Sequence, residues 1–279
     1  MNKTIILIVI VILLGGASAY YFSQNQSRNT TPLQPSPQPT TNAQMLETDN
    51  QTPIITESDV KYFEGASGYY AWPEANPPTG GYPGVVMIHE NRGLRPEIKA
   101  TADQLAKEGY MVLAVDLYKG QVVESQDEAR KISGSFNQEE GIENMKAAKA
   151  YLREKGATKI ASLGWCFGGR QSVAFAISEP LDATVVYYGG NMASKEEELK
   201  PIKWPVLGIF GDKDQAIPIE KVKEFETSLN NLGVENEIYI YPGVGHAFAN
   251  PSGMNYAPEE TKDAWVKTIS FLNKYLKNN

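Results

Sequence analysis

One cysteine and two histidines supply all the thiol and imidazole chemistry in this chain of 279 residues. The cysteine lies in Gly164-Trp165-Cys166-Phe167-Gly168-Gly169, a G-x-nucleophile-x-G spacing with sulfur where serine oxygen would stand. Glycines at that spacing permit a turn too tight for side chains, which lifts the nucleophile above a sheet edge. A helix opening behind Cys166 offers free backbone N–H groups and a positive dipole end, favouring thiolate and oxyanion alike. The competing reading is a small buried apolar cysteine beside a glycine-rich turn. His246, in Gly243-Val244-Gly245-His246-Ala247, can swing into a cleft and act as general base toward Cys166. Asp214, in Gly211-Asp212-Lys213-Asp214, can accept the Nδ1–H of that histidine and stabilise its imidazolium. Asp212, directly after Gly211, reads as a residue that shapes the turn.

These residues need elements to hold them. Gly84–His89 is a short apolar run suited to a buried strand, and Ile98, Ala102 and Leu105 recur at helical spacing before Gly109. Met111–Val115 reads as the next strand, 139–155 as a helix and Lys159–Leu163 as a strand. A helix follows from about Gly168, with strands at Thr184–Tyr188 and Val206–Phe210. Ile219–Leu232 reads as helix, Glu235–Tyr241 as strand and Pro258–Leu276 as a closing amphipathic helix. Alternating strands and helices predict one doubly wound, mostly parallel sheet with helices on both faces. Sites on such sheets form at the carboxyl ends of strands, here after Ile88, Leu163, Phe210 and Tyr241. Cys166, Asp214 and His246 each follow one of these ends, in the chain order nucleophile, acid, histidine.

The fourth strand end leads into His89-Glu90-Asn91-Arg92-Gly93-Leu94. A loop in that place supplies a second oxyanion donor, so the backbone N–H groups of Asn91 and Phe167 form the expected pair. Glu90 has two readings: a carboxylate that holds Cys166 as a neutral thiol, or one that orders the loop. His89 is expected to have a structural role, bonded to backbone.

The domain resembles the dienelactone hydrolase (carboxymethylenebutenolidase) family of the α/β-hydrolase superfamily. The matching stretches are Gly68-Tyr-Tyr-Ala-Trp-Pro73, Pro83-Gly-Val-Val-Met-Ile-His-Glu90, Gly109-Tyr-Met-Val-Leu-Ala-Val-Asp-Leu-Tyr118, Gly164-Trp-Cys-Phe-Gly-Gly169 and Gly245-His-Ala-Phe-Ala249. The resemblance implies an α/β-hydrolase fold, a Cys166–His246–Asp214 triad, and Glu90 as a carboxylate in contact with the nucleophile. It also implies thiolate attack on an ester or lactone carbonyl and an acyl-enzyme released by water. One position departs from the family pattern. An arginine that pairs with the substrate carboxylate is expected four residues after the histidine, and Asn250 stands there. Asparagine can hydrogen-bond a carboxylate but offers neither charge nor a bidentate fork. Arg92, Arg95 and Arg170 are the candidate replacements.

The amino terminus reads as something other than fold. Residues 4–22 carry no charge, Ile5–Leu14 is wholly apolar, and Lys3 precedes them. Ala17-Ser18-Ala19 fits a signal-peptidase site, while the uncharged length also suits an uncleaved anchor near the lower limit for spanning a bilayer. Either way an extracytoplasmic domain is expected, secreted or held at the membrane by residues 1–22. Residues 23–59 are rich in Gln, Asn, Ser, Thr and Pro and read as a disordered tether, leaving 60–279 as the hydrolase domain.

Counts exclude other classes. A single cysteine rules out a disulfide framework, a CxxC pair and a thiolate zinc cage, and two histidines leave little for a metal site. The elbow lacks the Lys-Ser/Thr of a phosphate loop, and Glu196-Glu197-Glu198 reads as a solvated helix face. A net charge of −7 argues against nucleic acid. No metal or organic cofactor is expected, and a monomer is favoured. The resulting expectation is an exported hydrolase of small esters or lactones. A non-catalytic, envelope-tethered binding module on the same fold is the alternative. A hydrolase for a larger or polymeric substrate would need an open cleft.

Overall fold

The computed structural model describes residues 52–277. The expected signal or anchor, and the expected tether as far as residue 51, lie outside the described residues. The last part of the assigned tether does not: Ile54–Val60 is strand β1, so the boundary at residue 60 falls too late. Thr56-Glu57-Ser58-Asp59 hides this strand from pattern reading, because its side chains are exposed on both faces. Backbone pairing with β2 (Gly68–Pro73) holds it at the sheet edge.

The other strands are β3 (Gly84–Ile88), β4 (Met111–Val115), β5 (Ile160–Trp165), β6 (Ala183–Tyr187), β7 (Val206–Gly211) and β8 (Asn236–Tyr241). They form one eight-stranded sheet in the order β1-β2-β4-β3-β5-β6-β7-β8. β1–β2 and β2–β4 are antiparallel, and every other pairing is parallel. The central strands β3 to β7 are buried along their whole length, as parallel strands covered on both faces must be.

The helices are α1 (Pro96–Lys107), α2 (Gln126–Gly134), α3 (Gln138–Glu154), α4 (Phe167–Ser178), α5 (Glu196–Leu199), α6 (Ile219–Asn231) and α7 (Pro258–Leu272). α1 buries Ile98, Ala102 and Leu105, the residues whose spacing predicts it. The closing helix is shorter than expected. α7 ends at Leu272 and continues as a π-helical turn, Asn273–Lys277, which still buries Leu276.

Side-chain parity shows that the helices take opposite faces. Ser162 of β5 pairs beside Thr184 of β6, and the Ser172 hydroxyl of α4 donates to Ser162 Oγ, 2.7 Å away, on that face. Trp165 pairs beside Tyr187 on the other face, where Tyr187 Oη is 2.7 Å from Thr268 Oγ1 of α7. The carboxyl ends of β3, β5, β7 and β8 thus open between α4 behind and α7 in front.

Candidate active site

The turn between β5 and α4 puts Cys166 at φ 54°, ψ −112°, in the left-handed half of backbone space that side chains rarely occupy. Its glycines are there for close approach: a Cβ on Gly164 would run into the Gly168 backbone, and one on Gly168 into the carbonyls of Ile88 and His89. Cys166 N–H donates to the Tyr187 carbonyl at 3.0 Å, pinning the turn to β6. Phe167 then heads α4, where a first-turn amide has no intrahelical acceptor.

His246 Nε2 lies 3.0 Å from Cys166 Sγ, and His246 Nδ1 lies 2.8 Å from Asp214 Oδ2. The Asp214 side chain is 1% exposed, and its other oxygen accepts from the N–H groups of Ala216 (2.8 Å) and Ile217 (3.1 Å). The carboxylate is therefore satisfied on both oxygens and aimed. Burial alone would lower the pKa of His246. The hydrogen bonds to Asp214 and Cys166, together with their charges, outweigh it and push the imidazole up to about 10. Asp212 accepts from Gly243 N–H at 2.6 Å, the turn-shaping role expected of it.

Glu90 departs from its expected contact. Its hydrogen bonds run to Asn250, through the Asn250 side-chain NH₂, and to the Tyr188 hydroxyl at 3.4 Å, rather than to Cys166. Burial drives the Glu90 carboxyl above the usual range, against smaller lowering effects from His246, Asn250 and Tyr188. Asn250 is thereby occupied: its Oδ1 accepts from Ser252 N–H (2.9 Å) and Oγ–H (2.8 Å). His89 is structural. It is fully buried, with Nδ1 2.6 Å from the Glu90 carbonyl and Nε2 accepting from Leu117 N–H at 3.2 Å.

A cleft of about 810 Å³ opens over Cys166 and His246 and is also bordered by Glu90, Asn91, Arg92, Arg95 and Asn250. The three arginines separate here. Arg95 is held by Glu97 (3.3 Å) and Glu124 (2.7 Å). Arg170 lies over the Phe167 ring, 5.4 Å from its centroid, outside the residues that border the cleft. Arg92 has no ion pair among the described residues.

Sequence reasoning missed Tyr188, which follows β6, a strand end not singled out above. Its φ of 35° turns it under the site, with its ring 5.3 Å from His246 and its hydroxyl on Glu90. Burial, then the Glu90 charge, keeps that hydroxyl protonated.

This strand order, with Cys166 on a glycine-flanked turn after β5, Asp214 after β7 and His246 after β8, is that of an α/β-hydrolase. Residues 67–276 match the dienelactone hydrolase family, and the chain belongs to that family of hydrolases. Protein usf of Aquifex pyrophilus is 33% identical over 214 residues, spanning 72% of this chain and 92% of its own. A candidate carboxymethylenebutenolidase of Saccharolobus solfataricus is 30% identical over 232 residues, spanning 69% and 90%. The crystal structure of a candidate dienelactone hydrolase from Klebsiella pneumoniae superposes with a TM-score of 0.73 at 25% identity, covering 80% of this chain and all of that one. The dienelactone hydrolase of Anabaena variabilis, at 18% identity and a TM-score of 0.59, covers 81% of this chain and 99% of its own and shares the fold.

Proposed function

We propose that the protein hydrolyses carboxylic esters or lactones through Cys166 as nucleophile, His246 as acid and base, and Asp214 as the group that orients the imidazole. The observation that carries this is the continuous line from Sγ to Nε2 (3.0 Å) and from Nδ1 to Oδ2 (2.8 Å) at the floor of the cleft. With its pKa pushed up to about 10, the imidazole is the base to which the Cys166 proton passes. The thiolate attacks the carbonyl carbon, forming the S–C bond while negative charge moves onto oxygen. The N–H groups of Asn91 and Phe167 are the donors assigned to that oxyanion. The C–O bond then breaks, and His246 Nε2–H donates its proton to the leaving oxygen. In the acyl-enzyme the neutral imidazole takes a proton from water, whose oxygen attacks the thioester. The acid is released and the thiolate–imidazolium pair is restored.

Glu90 borders the same cleft as a carboxyl held by Tyr188 and Asn250. In the place of the missing arginine, Arg92 is the cation assigned to a substrate carboxylate. The test is turnover of p-nitrophenyl acetate and a panel of esters and lactones by the full chain, with Cys166→Ala and His246→Ala as folded controls. Equal turnover by Cys166→Ala would sink the proposal.

The amino-terminal sequence supports export: a lysine, an apolar run and a small-x-small site precede a polar segment. Fractionating cells that express the full chain, with sequencing of its amino terminus, checks this. Recovery of chains starting at Met1 in the cytosolic fraction refutes it.

A further inference from the structure

The cleft has two unlike sides, and the sheet order fixes which is which. On one side of Cys166, the loop after β3 contributes Asn91 and Arg92. On the other, β6 to β8 and α7 contribute Tyr187, His246 and Trp265, with Trp165 beneath. Trp165 and Tyr187 are buried neighbours, their rings 5.4 Å apart. The Tyr187 hydroxyl is bonded to Thr268, one helical turn beyond Trp265, which fixes the helix face carrying that indole over the same wall. The loop that follows His246 also borders the cleft, with Met254 completely and Tyr256 partly exposed.

Ester cleavage makes the two sides chemically unequal. The leaving oxygen must sit within reach of His246 Nε2–H, so the alcohol portion extends past the histidine. The acyl portion extends the other way, toward the oxyanion donors and Arg92. A cleft of about 810 Å³ is large enough for a substrate with a substantial group on each side of the carbonyl.

We infer that the side walled by Trp165, Tyr187 and Trp265 is an alcohol subsite for a bulky apolar or aromatic leaving group, with Trp265 as its specificity-determining residue. This rests on the hydrolase reading above and specifies the substrate class. The alcohol packs its flat face on the indole and the Tyr187–Trp165 wall. Small alcohols leave that wall wet and gain nothing from it.

The test uses two ester pairs on the full chain. Ethyl and 2-phenylethyl acetate differ only in an alcohol of similar acidity. Ethyl acetate and ethyl 3-phenylpropanoate differ only in the acyl group. The expected result is a kcat/KM at least about tenfold higher for 2-phenylethyl than for ethyl acetate, with no comparable gain on the acyl side. Trp265→Ala should abolish that preference by raising KM for the phenylethyl ester, leave ethyl acetate turnover intact, and keep its melting temperature. Trp265→Phe should retain most of the preference. Equal rates on the first pair, a preference residing on the acyl side, or an equal loss for both acetates in a folded Trp265→Ala overturns the inference while the hydrolase reading stands. Absence of all turnover, with p-nitrophenyl acetate included, overturns both.

Discussion

The side-chain NH₂ of Asn250 donates to the carboxylate of Glu90, joining the loop after β8 to the loop after β3 across 160 positions of sequence. With Tyr188 on its other oxygen, Glu90 is turned to its own support and leaves the Cys166 sulfur facing His246. Asn250 brings no charge, so burial remains the largest influence on the carboxyl and raises its pKa. In Asn250→Arg a guanidinium replaces the amide. The Glu90 carboxyl should then titrate at lower pH, followed by carbon-13 NMR of the labelled side chain. An unchanged titration means that burial alone governs the site.

The same carboxyl makes a prediction about stability. Its folded pKa is raised, so the folded state binds this proton more tightly than the unfolded chain does. The contribution is complete below the ordinary carboxylate range and is lost as pH rises through the raised folded value. In urea titrations at several pH values, Glu90→Gln should lack that fall relative to wild type. A parallel pH dependence in both proteins contradicts the assignment.

His246 predicts the alkaline limb of activity. With its pKa raised to about 10, the proton for a poor leaving group is present across neutral pH and is lost above that value. For alkyl esters, kcat/KM should fall as pH passes about 10. A p-nitrophenyl ester, whose leaving group needs no proton, should show a weaker fall or none. Identical alkaline limbs for the two esters would show that His246 is not the donor.

Asp214→Asn keeps the shape but removes the negative acceptor from Nδ1–H. Activity on alkyl esters should drop by about 10²–10⁴. Because Cys166 is the only thiol, alkylation by iodoacetamide reports its reactivity without ambiguity, and the rate should fall in both Asp214→Asn and His246→Ala. Undiminished alkylation in these variants would mean that the imidazole does not activate the sulfur.

Arg92 is the one cleft arginine without an ion pair among the described residues. Arg92→Ala should raise KM for carboxylate-bearing esters by roughly ten- to a hundredfold, the value of one charge-assisted hydrogen bond. Neutral esters should be unaffected, and an equal loss for both classes points instead to a damaged oxyanion loop.

Much of this arrangement was legible before any coordinates. Cys166 and Asp214 each follow a largely apolar strand and His246 one that ends in Ile238-Tyr239-Ile240-Tyr241, and a parallel sheet collects its strand ends at one edge. β1 was not legible, because an edge strand held by backbone pairing leaves no hydrophobic alternation to read. Nor were the partners of Glu90, since Tyr188 and Asn250 are brought to it by tertiary folding and obey no local period. The arginines show the same limit. The departure at Asn250 from the family pattern nominated three, and only their ion pairs and placement separated Arg92 from Arg95 and Arg170.

On the proposed mechanism, a single, partly exposed cysteine also sets the working lifetime of each molecule. Peroxide converts an accessible thiolate to a sulfenic acid, and elsewhere a neighbouring thiol traps that state as a disulfide. This chain has no second thiol, so rescue must come from a small thiol in the surroundings. Without one, the next oxidation gives a sulfinic acid and ends turnover. The number of substrates processed per molecule then depends on the oxidant supply around it as well as on the rate of its chemistry.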